Sequence, residues 1–458
     1  MSINFSTQEI GRRALRSSQL GLALTGQNIA NVNTPGYTRR GVELSLTQLP
    51  GAGARPVSES SIEGVRNFRD NFLEQRIHAE TASNGRLTAQ RDALAPVEAA
   101  LSEAGGGVQT ALENFFGAFR DLEANPSSVT QRGVVTQQGA ILGNAFQTTS
   151  NRLGQIRHET DQTLRAAVAE TNGLAQKVAY LNGKLQNASG PNVFELRDQR
   201  NEYARQLAEL TGARTVPNQD GTISLTLGDG RALVTGTEAL PLTVVDTPPN
   251  GLATVQISGQ PAVFSDGKIA GLKDALGKIG SQLSDLDDLA ASVADRVNTL
   301  HTSGTDADGA AGLAFFVSGN AQPLAAANFA VNPALAANAR LVVASPLAQP
   351  AESGTVAGAL ANLLKDTNSV VGSRTGSFSS IYGSFVAEAG ANVRQAEDSL
   401  SLQAAILAQA AAQQQSLSGV SLDEEAINLL QYQRAFEAAA KFLKIADEIT
   451  QTTIALGQ

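Results

Sequence analysis

The sequence predicts a mainly α fold with β insertions, an α+β multidomain chain whose two ends pack on each other. Three observations carry this prediction. Apolar residues recur at helical spacing near both ends, residues 222–227 alternate between polar and apolar side chains, and residues 302–354 contain few charges. A chain of 458 residues is too long for one core, so two to four domains are expected.

The first predicted element is a helix with two adjacent seams. Both seams mix Leu and Ile with small residues, which lets more than one neighbouring helix approach closely. A helix this short and weakly apolar is marginal alone, so it needs partners. At steps of three and four, the first seam contains Ile10, Ala14, Ser17, Gly21, Leu24 and Asn28, and the second contains Leu15, Ser18, Leu22, Thr25, Ile29 and Val32.

A turn motif is predicted to end this helix. Pro35 disfavours α geometry at Thr34, and Gly36 tolerates a positive φ angle. Polar or aromatic residues flank the pair on both sides. We therefore predict a tight turn formed by Asn31, Thr34, Pro35, Gly36 and Tyr37.

A second amphipathic helix is predicted in residues 421–458. Phe442, Ile445 and Ile449 form an additional stripe beside its main seam. Two apolar stripes on one helix again suggest more than one neighbour. The main seam, at steps of three and four, contains Leu429, Tyr432, Phe436, Ala439, Leu443 and Ala446.

Complementary charge favours contact between the two ends. Residues 1–40 hold five Arg and one Glu, a net charge of +4, whereas residues 421–458 hold three basic and six acidic residues, a net charge of −3. The stripes alone are equally consistent with an ordinary core; the charges favour assembly. The predicted packing residues, within the chain and between copies of it, are Ile10, Ala14, Leu15, Leu22, Leu24 and Ile29 on one helix and Leu429, Tyr432, Phe436, Leu443 and Ile445 on the other.

The acids that open the last helix have two interpretations. Asp423, Glu424 and Glu425 follow Ser421, where they oppose the helix dipole and Ser421 can act as a cap. This capping role is the main prediction. The alternative is that they form charge pairs with Arg12, Arg13 and Arg16 of a neighbouring chain.

Helices and strands alternate between the two ends. Leu44–Ser61 is rich in Gly, Pro and Ser and predicts an extended connector with short strands at most, after which helical spacing begins near Val65. Ser127 or Ser128 can cap a long helix that runs to about Asn187. The predicted domains are an inner terminal domain (1–60 and 419–458) with a coiled-coil-like helix pair, a helical rod-like middle domain (61–212, 267–301 and 355–418), an outer β domain (213–266) and a loop-rich reduced outer module (302–354).

Composition and motifs argue against several functions. There is no Cys, so disulfides and thiolate sites are excluded, and a net charge of −9 argues against nucleic-acid binding. No apolar run is long enough to insert into a membrane, and no cleavable signal is visible. His78, His158 and His301 are far apart, so no metal site is expected.

The same residues have simple structural interpretations. We predict that His78 and His158 are solvated helix positions and that His301 stabilises a helix end. Asp306–Gly309 faintly resembles a calcium loop but has Val317 where an EF-hand needs Glu, so a polar turn is predicted. Phosphate-loop and nucleophile-elbow motifs are lacking. Neither an enzyme nor a cofactor is expected.

Several segments resemble the bacterial flagellar axial proteins. Asn28–Tyr37 reads NIANVNTPGY, and residues 416–443 read SLSGVSLDEEAINLLQYQRAFEAAAKFL. Between them, Val65–Leu73, the FF…NP spacing from Leu112 to Ser128, and Leu196–Arg200 are similar to segments of the family. Asn201 departs from the pattern, since an Asp is more usual there. The SGVSLDEE and FF…NP stretches favour the members at the junction of hook and filament.

The resemblance implies a structural protein that connects the flagellar hook to the filament. It implies a homo-oligomeric tubular assembly, contacts with hook protein, a second junction protein and filament proteins, and an export chaperone on the carboxy-terminal helix. It also implies type III export without a cleaved signal peptide and an extracellular location. The alternatives are another axial protein such as hook protein or flagellin, a secreted enzyme on an axial scaffold, and a cytosolic coiled-coil scaffold.

Overall fold

Long helices dominate the chain in a computed structural model, and the predicted mainly α fold with small β insertions is confirmed. The structure describes residues 2–34, 36–49, 57–102, 107–188, 192–247, 252–320, 322–347 and 353–456. The chain divides into two compact units. The first comprises Met1–Thr81, Asn172–Leu240 and Gln403–Gln458, and the second comprises Ala82–Thr171 and Pro241–Leu402.

The elements are as follows in chain order. The helices are α1 (Ser2–Ala30), α2 (Asn71–Leu101), α3 (Val108–Ala124), α4 (Val129–Gln186), α5 (Asn192–Thr211), α6 (Lys268–Thr302), α7 (Pro333–Ala337), α8 (Thr355–Asn362), α9 (Phe378–Ser418) and α10 (Leu422–Leu456). The strands are β1 (Arg40–Leu49), β2 (Val57–Asn67), β3 (Arg214–Pro217), β4 (Ile223–Thr226), β5 (Ala232–Thr235), β6 (Glu238–Ala239), β7 (Leu242–Thr247), β8 (Leu252–Ile257), β9 (Gln260–Pro261), β10 (Gly304–Thr305), β11 (Phe316–Ser318), β12 (Phe329–Val331), β13 (Ser345–Pro346), β14 (Ser369–Val371) and β15 (Arg374–Gly376).

A β-hairpin occupies the segment predicted as a connector, so that prediction is wrong. β1 and β2 pair antiparallel from Arg40 opposite Asn67 to Leu49 opposite Val57. In β1, Val42, Leu44 and Leu46 alternate with polar residues, which is a strand pattern. The Gly- and Pro-rich part is confined to residues 50–56, which lie outside the described residues.

The helix predicted to begin near Val65 begins later, at Asn71. Residues 65–67 belong to β2, and Asp70 supplies the cap of α2. The Asp70 Oδ1 atom accepts hydrogen bonds from the backbone N–H groups of Phe72 (2.9 Å) and Leu73 (3.1 Å). A carboxylate in this position satisfies amides that the helix itself leaves unpaired.

The strands predicted in residues 213–266 are present but form two sheets. β3, β4, β5 and β6 are neighbours in that order in the first unit, and β7, β8 and β9 form a separate sheet in the second. In the first unit, the Asn182 Nδ2 of α4 donates to the carbonyls of Ile223 (2.8 Å) and Gly236 (2.6 Å). Strand spacing along the chain does not reveal this division.

An aromatic cluster forms the core of the second unit. Phe115 of α3 lies 5.2 Å from Phe119, 5.4 Å from Phe315 and 5.1 Å from Phe316 between ring centroids. All four side chains are fully or almost fully buried. The predicted cap of α4 is also confirmed, since the Ser128 hydroxyl accepts from the Gln131 amide at 3.2 Å. The FF…NP stretch therefore builds a core and then starts the longest helix.

Two of the three histidines are buried. His301, at the end of α6, has 0% exposure; its Nδ1 lies 2.6 Å from the Leu313 carbonyl oxygen, and its Nε2 accepts from the Val343 amide at 3.0 Å. The prediction of a solvated His78 is wrong, because that side chain is 8% exposed. His158 is exposed, as predicted. Burial lowers the pKa of both His78 and His301 to about 4.

The stability of the second unit is expected to fall as the pH drops from about 6.5 towards 4. An unfolded histidine titrates near 6.5, whereas folded His301 titrates near 4, so in this window the unfolded chain binds the additional proton. The contribution of neutral His301 to the free energy of unfolding is fully present above the unfolded pKa, and at most roughly 3 kcal/mol of it is lost on acidification. In the His301→Phe variant, the melting temperature should depend much less on pH across this range. Exposed His158→Phe is the control, and an unchanged slope in His301→Phe would contradict the linkage.

Candidate assembly site at the chain termini

The two terminal helices form an antiparallel pair within the first unit. Gln8 Nε2 donates to Asp447 Oδ1 at 3.3 Å, and Asn28 Nδ2 donates to Glu425 Oε2 at 3.1 Å. Residues near the start of α1 therefore contact residues near the end of α10, and residues near the end of α1 contact the start of α10. The predicted contact between the chain ends is present in the monomer.

Glycines allow α1 to approach α10 closely. A Cβ atom built on Gly21 would lie 2.5 Å from ring carbons of Tyr432, and one on Gly11 would lie 2.7 Å from Leu443 side-chain carbons. Any larger residue would collide with these side chains. The buried face of α1 is accordingly small and polar, and it contains Gly11, Ser18, Gly21, Leu24, Thr25 and Asn28.

The contact face of α1 lies between the two predicted seams. Leu24 is buried with 5% exposure, whereas Ile10 is 45% exposed and Ala14 is also exposed. The remaining predicted packing residues of α1 are half-buried, namely Leu15, Leu22 and Ile29. The buried face takes Gly21, Leu24 and Asn28 from the first seam and Ser18 and Thr25 from the second, and only Gly11 belongs to neither seam.

Helix α10 has an inward face and an outward face. The predicted seam faces α1, with Ala439 and Ala446 buried and Leu429, Tyr432, Phe436 and Leu443 half-buried. Ile445 does not join it. With about 3.6 residues per turn, Ile445 lies on the opposite side of the helix. It shares that side with further exposed apolar residues, and we call the group the outer stripe: Ile427, Leu430, Ile445 and Ile449, with exposures of 57%, 55%, 55% and 55%. Phe442 lies at the edge of the contact with α1, since its Cδ1 would be 3.2 Å from a Cβ atom built on Gly11.

The turn motif follows α1 directly. The Thr34 amide donates to the Asn31 carbonyl at 2.9 Å, and the Tyr37 amide donates to the Thr34 carbonyl at 3.2 Å. The Thr34 hydroxyl donates to Asn31 Oδ1 at 3.1 Å, and Gly36 has a φ angle of 77°. That angle favours glycine. Pro35 lies outside the described residues.

Asn28 is the centre of a buried polar cluster. Its Oδ1 accepts from the Tyr37 hydroxyl (2.8 Å) and from the Arg40 amide (3.1 Å), and its Nδ2 donates to the Arg40 carbonyl (2.9 Å). The same Nδ2 reaches Glu425 of α10, and Asn28 is only 1% exposed. One side chain thus fixes the turn, the start of β1 and the start of α10.

Two arginines extend this cluster. Arg39 Nε donates to Glu425 Oε1 at 2.8 Å, and Arg39 Nη1 donates to Glu424 Oε2 at 2.7 Å. Arg40 Nη2 donates to Asp198 Oδ2 of α5 at 2.8 Å, and its guanidinium lies 4.9 Å from the centroid of the Tyr37 ring. Burial raises the pKa of Asp198 even though hydrogen bonding and charge from Arg40 oppose the rise.

The predicted charge pairs join neighbouring chains and stay a prediction; within one chain, two of the acids have a different partner. Glu424 and Glu425 pair with Arg39, which the sequence interpretation overlooked, and Arg13 lies 3.4 Å from Glu9 of the same helix. The antiparallel register places Arg12, Arg13 and Arg16 far along α1 from the start of α10. Arg12, Arg16 and Asp423 are exposed at the surface of the first unit.

Replacing Asn28 with alanine is expected to lower the free energy of unfolding by about 2 kcal/mol. The change removes the partner of the Arg40 amide and leaves the buried Glu425 carboxylate with one donor fewer. Urea denaturation measures the loss. Asn33→Ala, at an exposed position of the same turn, is the control and should change little. Equal losses in the two variants would contradict a special role for Asn28.

Comparison with known proteins places these features in a family. Residues 94–316 match the family model described as flagellar hook-associated protein FlgK helical domain, and residues 413–456 match the one described as flagellar basal body rod FlgEFG protein C-terminal. Flagellar hook-associated protein 1 of Bacillus subtilis is 27% identical, covering 99% of this chain and 98% of its own. The Escherichia coli protein of the same name is 24% identical, covering 96% of this chain and 97% of its own. Over almost its whole length, the chain is similar to flagellar hook-associated protein 1.

A solved structure agrees with this family at the level of the fold. The flagellar hook junction protein FlgK from Burkholderia pseudomallei matches with a TM-score of 0.67 and 16% identity, covering 75% of this chain and all of that one. The hook-associated protein 1 family is one of structural flagellar proteins, and this similarity supports the predicted non-enzymatic role. This chain is a flagellar component.

The described residues contain neither a membrane-spanning helix nor a metal-binding cluster. In the part of the chain that the structure describes, no helix is long and apolar enough to cross a membrane. Among those residues, no group of three or more His, Asp or Glu side chains could hold a metal ion. The Asp306 carboxylate instead accepts from the amides of Asp308 (2.8 Å) and Ala310 (2.9 Å), as expected for a polar turn.

Proposed function

We propose that this chain is a structural component of the flagellum that joins the hook to the filament and self-assembles through its terminal helix pair. The outer stripe of α10 is the observation that carries the proposal. It remains exposed after α10 has packed against α1. A helix with apolar residues on two sides needs a second neighbour, and another copy of the chain provides one.

The energetics favour assembly through this stripe. Fully burying one large apolar side chain contributes about 1.5–3 kcal/mol. Several stripe residues buried against each neighbour can therefore hold subunits of a tubular homo-oligomer together. Arg12, Arg16 and Asp423 are exposed and available for charge pairs between copies, as the sequence predicts.

The buried cluster around Asn28 suits a protein under mechanical load. It connects both terminal helices to α5 and to the β-hairpin through charged and neutral hydrogen bonds. Networks that join segments distant in sequence resist separation of those segments. We assign this inner role to residues 1–60 and 419–458. The helical middle domain and the reduced outer module stay predictions from the sequence, whereas the segment predicted as one outer β domain (213–266) forms two sheets that belong to different units.

The proposed partners are other flagellar components. They are hook protein on one side, and a second junction protein with filament proteins on the other. Before assembly, an export chaperone would cover the outer stripe on the carboxy-terminal helix. Export would follow the flagellar type III route without a cleaved signal peptide, which leads to an extracellular location.

Electron microscopy of cells that lack this chain, with an immunoblot for flagellin in the medium, tests the proposed junction role. The expected result is complete hooks without filaments and flagellin lost to the medium. If hooks are absent, the protein acts in the rod or the hook instead of the junction. Normal flagella would contradict the proposal.

A further inference from the structure

A cleft lies between the turn motif and α5 in the first unit. We call it the α5 cleft; its volume is about 370 Å³, which is large enough to hold a long side chain. Asn31 and Tyr37 line it from the turn, and Glu195, Gln199 and Tyr203 line it from successive turns of α5. The lining thus combines amide and carboxylate groups with two aromatic rings.

Glu195 is the acid of this lining that has no partner in the part of the chain that the structure describes. The other two acids are already paired. The Asp198 carboxylate lies 2.8 Å from Arg40, and the Glu202 carboxylate lies 2.7 Å from Arg205. Glu195 is exposed, and among the described residues it enters no ion pair or hydrogen bond. Its negative charge is therefore left for a cation from outside the chain.

A guanidinium group suits this lining better than an apolar side chain. Its planar fork binds carboxylate and amide oxygens together, and its face stacks on aromatic rings. Both rings of the cleft already attract cations. The Tyr37 ring centroid lies 4.9 Å from the Arg40 guanidinium, and that of Tyr203 lies 5.1 Å from Lys177 Nζ. The occupant that fits is an arginine without an acid partner of its own.

The exposed side of α1 supplies such an arginine. Arg12 and Arg16 are both exposed, and neither forms an ion pair with another described residue. A carboxylate that approached Arg12 would also meet Glu9, which lies three positions earlier on the same side of the helix. Arg16 has no acid within four positions in either direction. Its surroundings therefore make it the better match for Glu195.

Arg16 cannot reach the α5 cleft of its own chain. About four helical turns, or about 22 Å, separate it from Asn31 at the cleft, a distance far longer than an arginine side chain. The contact must therefore join two copies that are displaced along α1 and that contribute different surfaces. Contacts of this head-to-tail kind repeat from copy to copy and can build open helical arrays.

We propose that the α5 cleft of one copy receives Arg16 of a second copy, which pairs with Glu195 and stacks on a tyrosine ring. The proposal rests on the proposed function, because it supplies a polar contact that sets the displacement between copies joined through the outer stripe. Two of the three acids that the sequence offered to this arginine are bound by Arg39 of their own chain, so Glu195 takes their place.

Exchanging the two charges gives the first test. Glu195→Lys should reduce filaments per cell by about tenfold, because like charges then meet at the interface, and Arg16→Glu should do the same. The variant that carries both changes restores an opposite pair and should restore the filaments. Glu238→Lys, at an exposed position of the same unit, is the control for net charge and should have no effect. A double variant with no more filaments than the single ones would overturn the proposal.

Chemical crosslinking tests the same contact without relying on its energy. The chain has no cysteine, so a short bismaleimide can link the Arg16→Cys/Glu195→Cys variant at these two positions alone. In isolated flagella it should produce a ladder of multimers, because a head-to-tail contact joins each copy to two others. Either single variant should stop at dimers at most. Flagella that contain the chain but give no ladder would overturn the α5 cleft contact and leave the proposed function intact, whereas flagella that lack the chain would overturn both.

Discussion

Replacing Gly21 with leucine is expected to abolish filament attachment. Even a single added carbon would lie 2.5 Å from the Tyr432 ring. The contacted atoms are Cγ, Cδ1 and Cε1, so the whole ring would have to move. Overpacking of this kind typically costs about 1–3 kcal/mol for added methylene groups, and a whole leucine side chain forces the helices apart. The terminal pair, and with it the orientation of the outer stripe, should be lost. Motility and filament counts in a complemented deletion strain measure the effect.

Gly26→Leu is the matched control in the same helix. A Cβ atom there would meet nothing within 4 Å, and Gly26 is exposed. The substitution should be tolerated or slightly stabilising, since glycine is about 0.5–1 kcal/mol unfavourable inside a helix. If both leucine variants assemble equally well, the close approach of α1 and α10 is not required.

Replacing Ile445 with aspartate is expected to prevent assembly while the isolated chain remains folded. Ile445 is 55% exposed and lies outside the contact with α1, so its loss removes little of the intrachain core. Between subunits, the same change would bury an unpaired charge, which is strongly unfavourable. Urea denaturation should give a midpoint close to that of the unchanged chain, whereas complemented cells should lack filaments.

Gln433→Asp provides the control for the change in charge. Gln433 is exposed on a lateral side of α10, so the variant introduces the same charge at the same kind of helix position. It should support filaments. If Ile445→Asp also supports them, the outer stripe does not contribute to assembly.

Pattern alone predicted α10 well and α1 less well, for a physical reason. The inward face of α10 consists of large residues such as Tyr432 and Leu443, which periodicity identifies. The matching positions on α1 are Gly11 and Gly21; Gly21 was part of the predicted first seam, but Gly11 was not, and the chosen packing residues Ile10 and Ala14 are exposed. The contact depends on the absence of side chains, and only a pairing of the two helices reveals it.

Long-range pairing explains the other differences. Arg39 and Glu425 are 386 positions apart in sequence, so composition gave their net attraction but not their salt bridge. The burial of His78 comes from segments distant in sequence, including the end of α9. The spacing within its own helix therefore wrongly predicted a solvated side chain. By contrast, local signals predicted the cap at Ser128, the turn after Ala30 and the strand Ile223–Thr226.

Chemical labelling of Ile445→Cys tests the central claim most directly. The chain has no other cysteine, so a maleimide reports on this one position of the outer stripe. We expect rapid labelling of the isolated chain, where the side chain is exposed, and strong protection in intact flagella. Gln433→Cys measures general accessibility in the same preparations. Equally rapid labelling of Ile445→Cys before and after assembly would contradict an assembly that proceeds through the outer stripe.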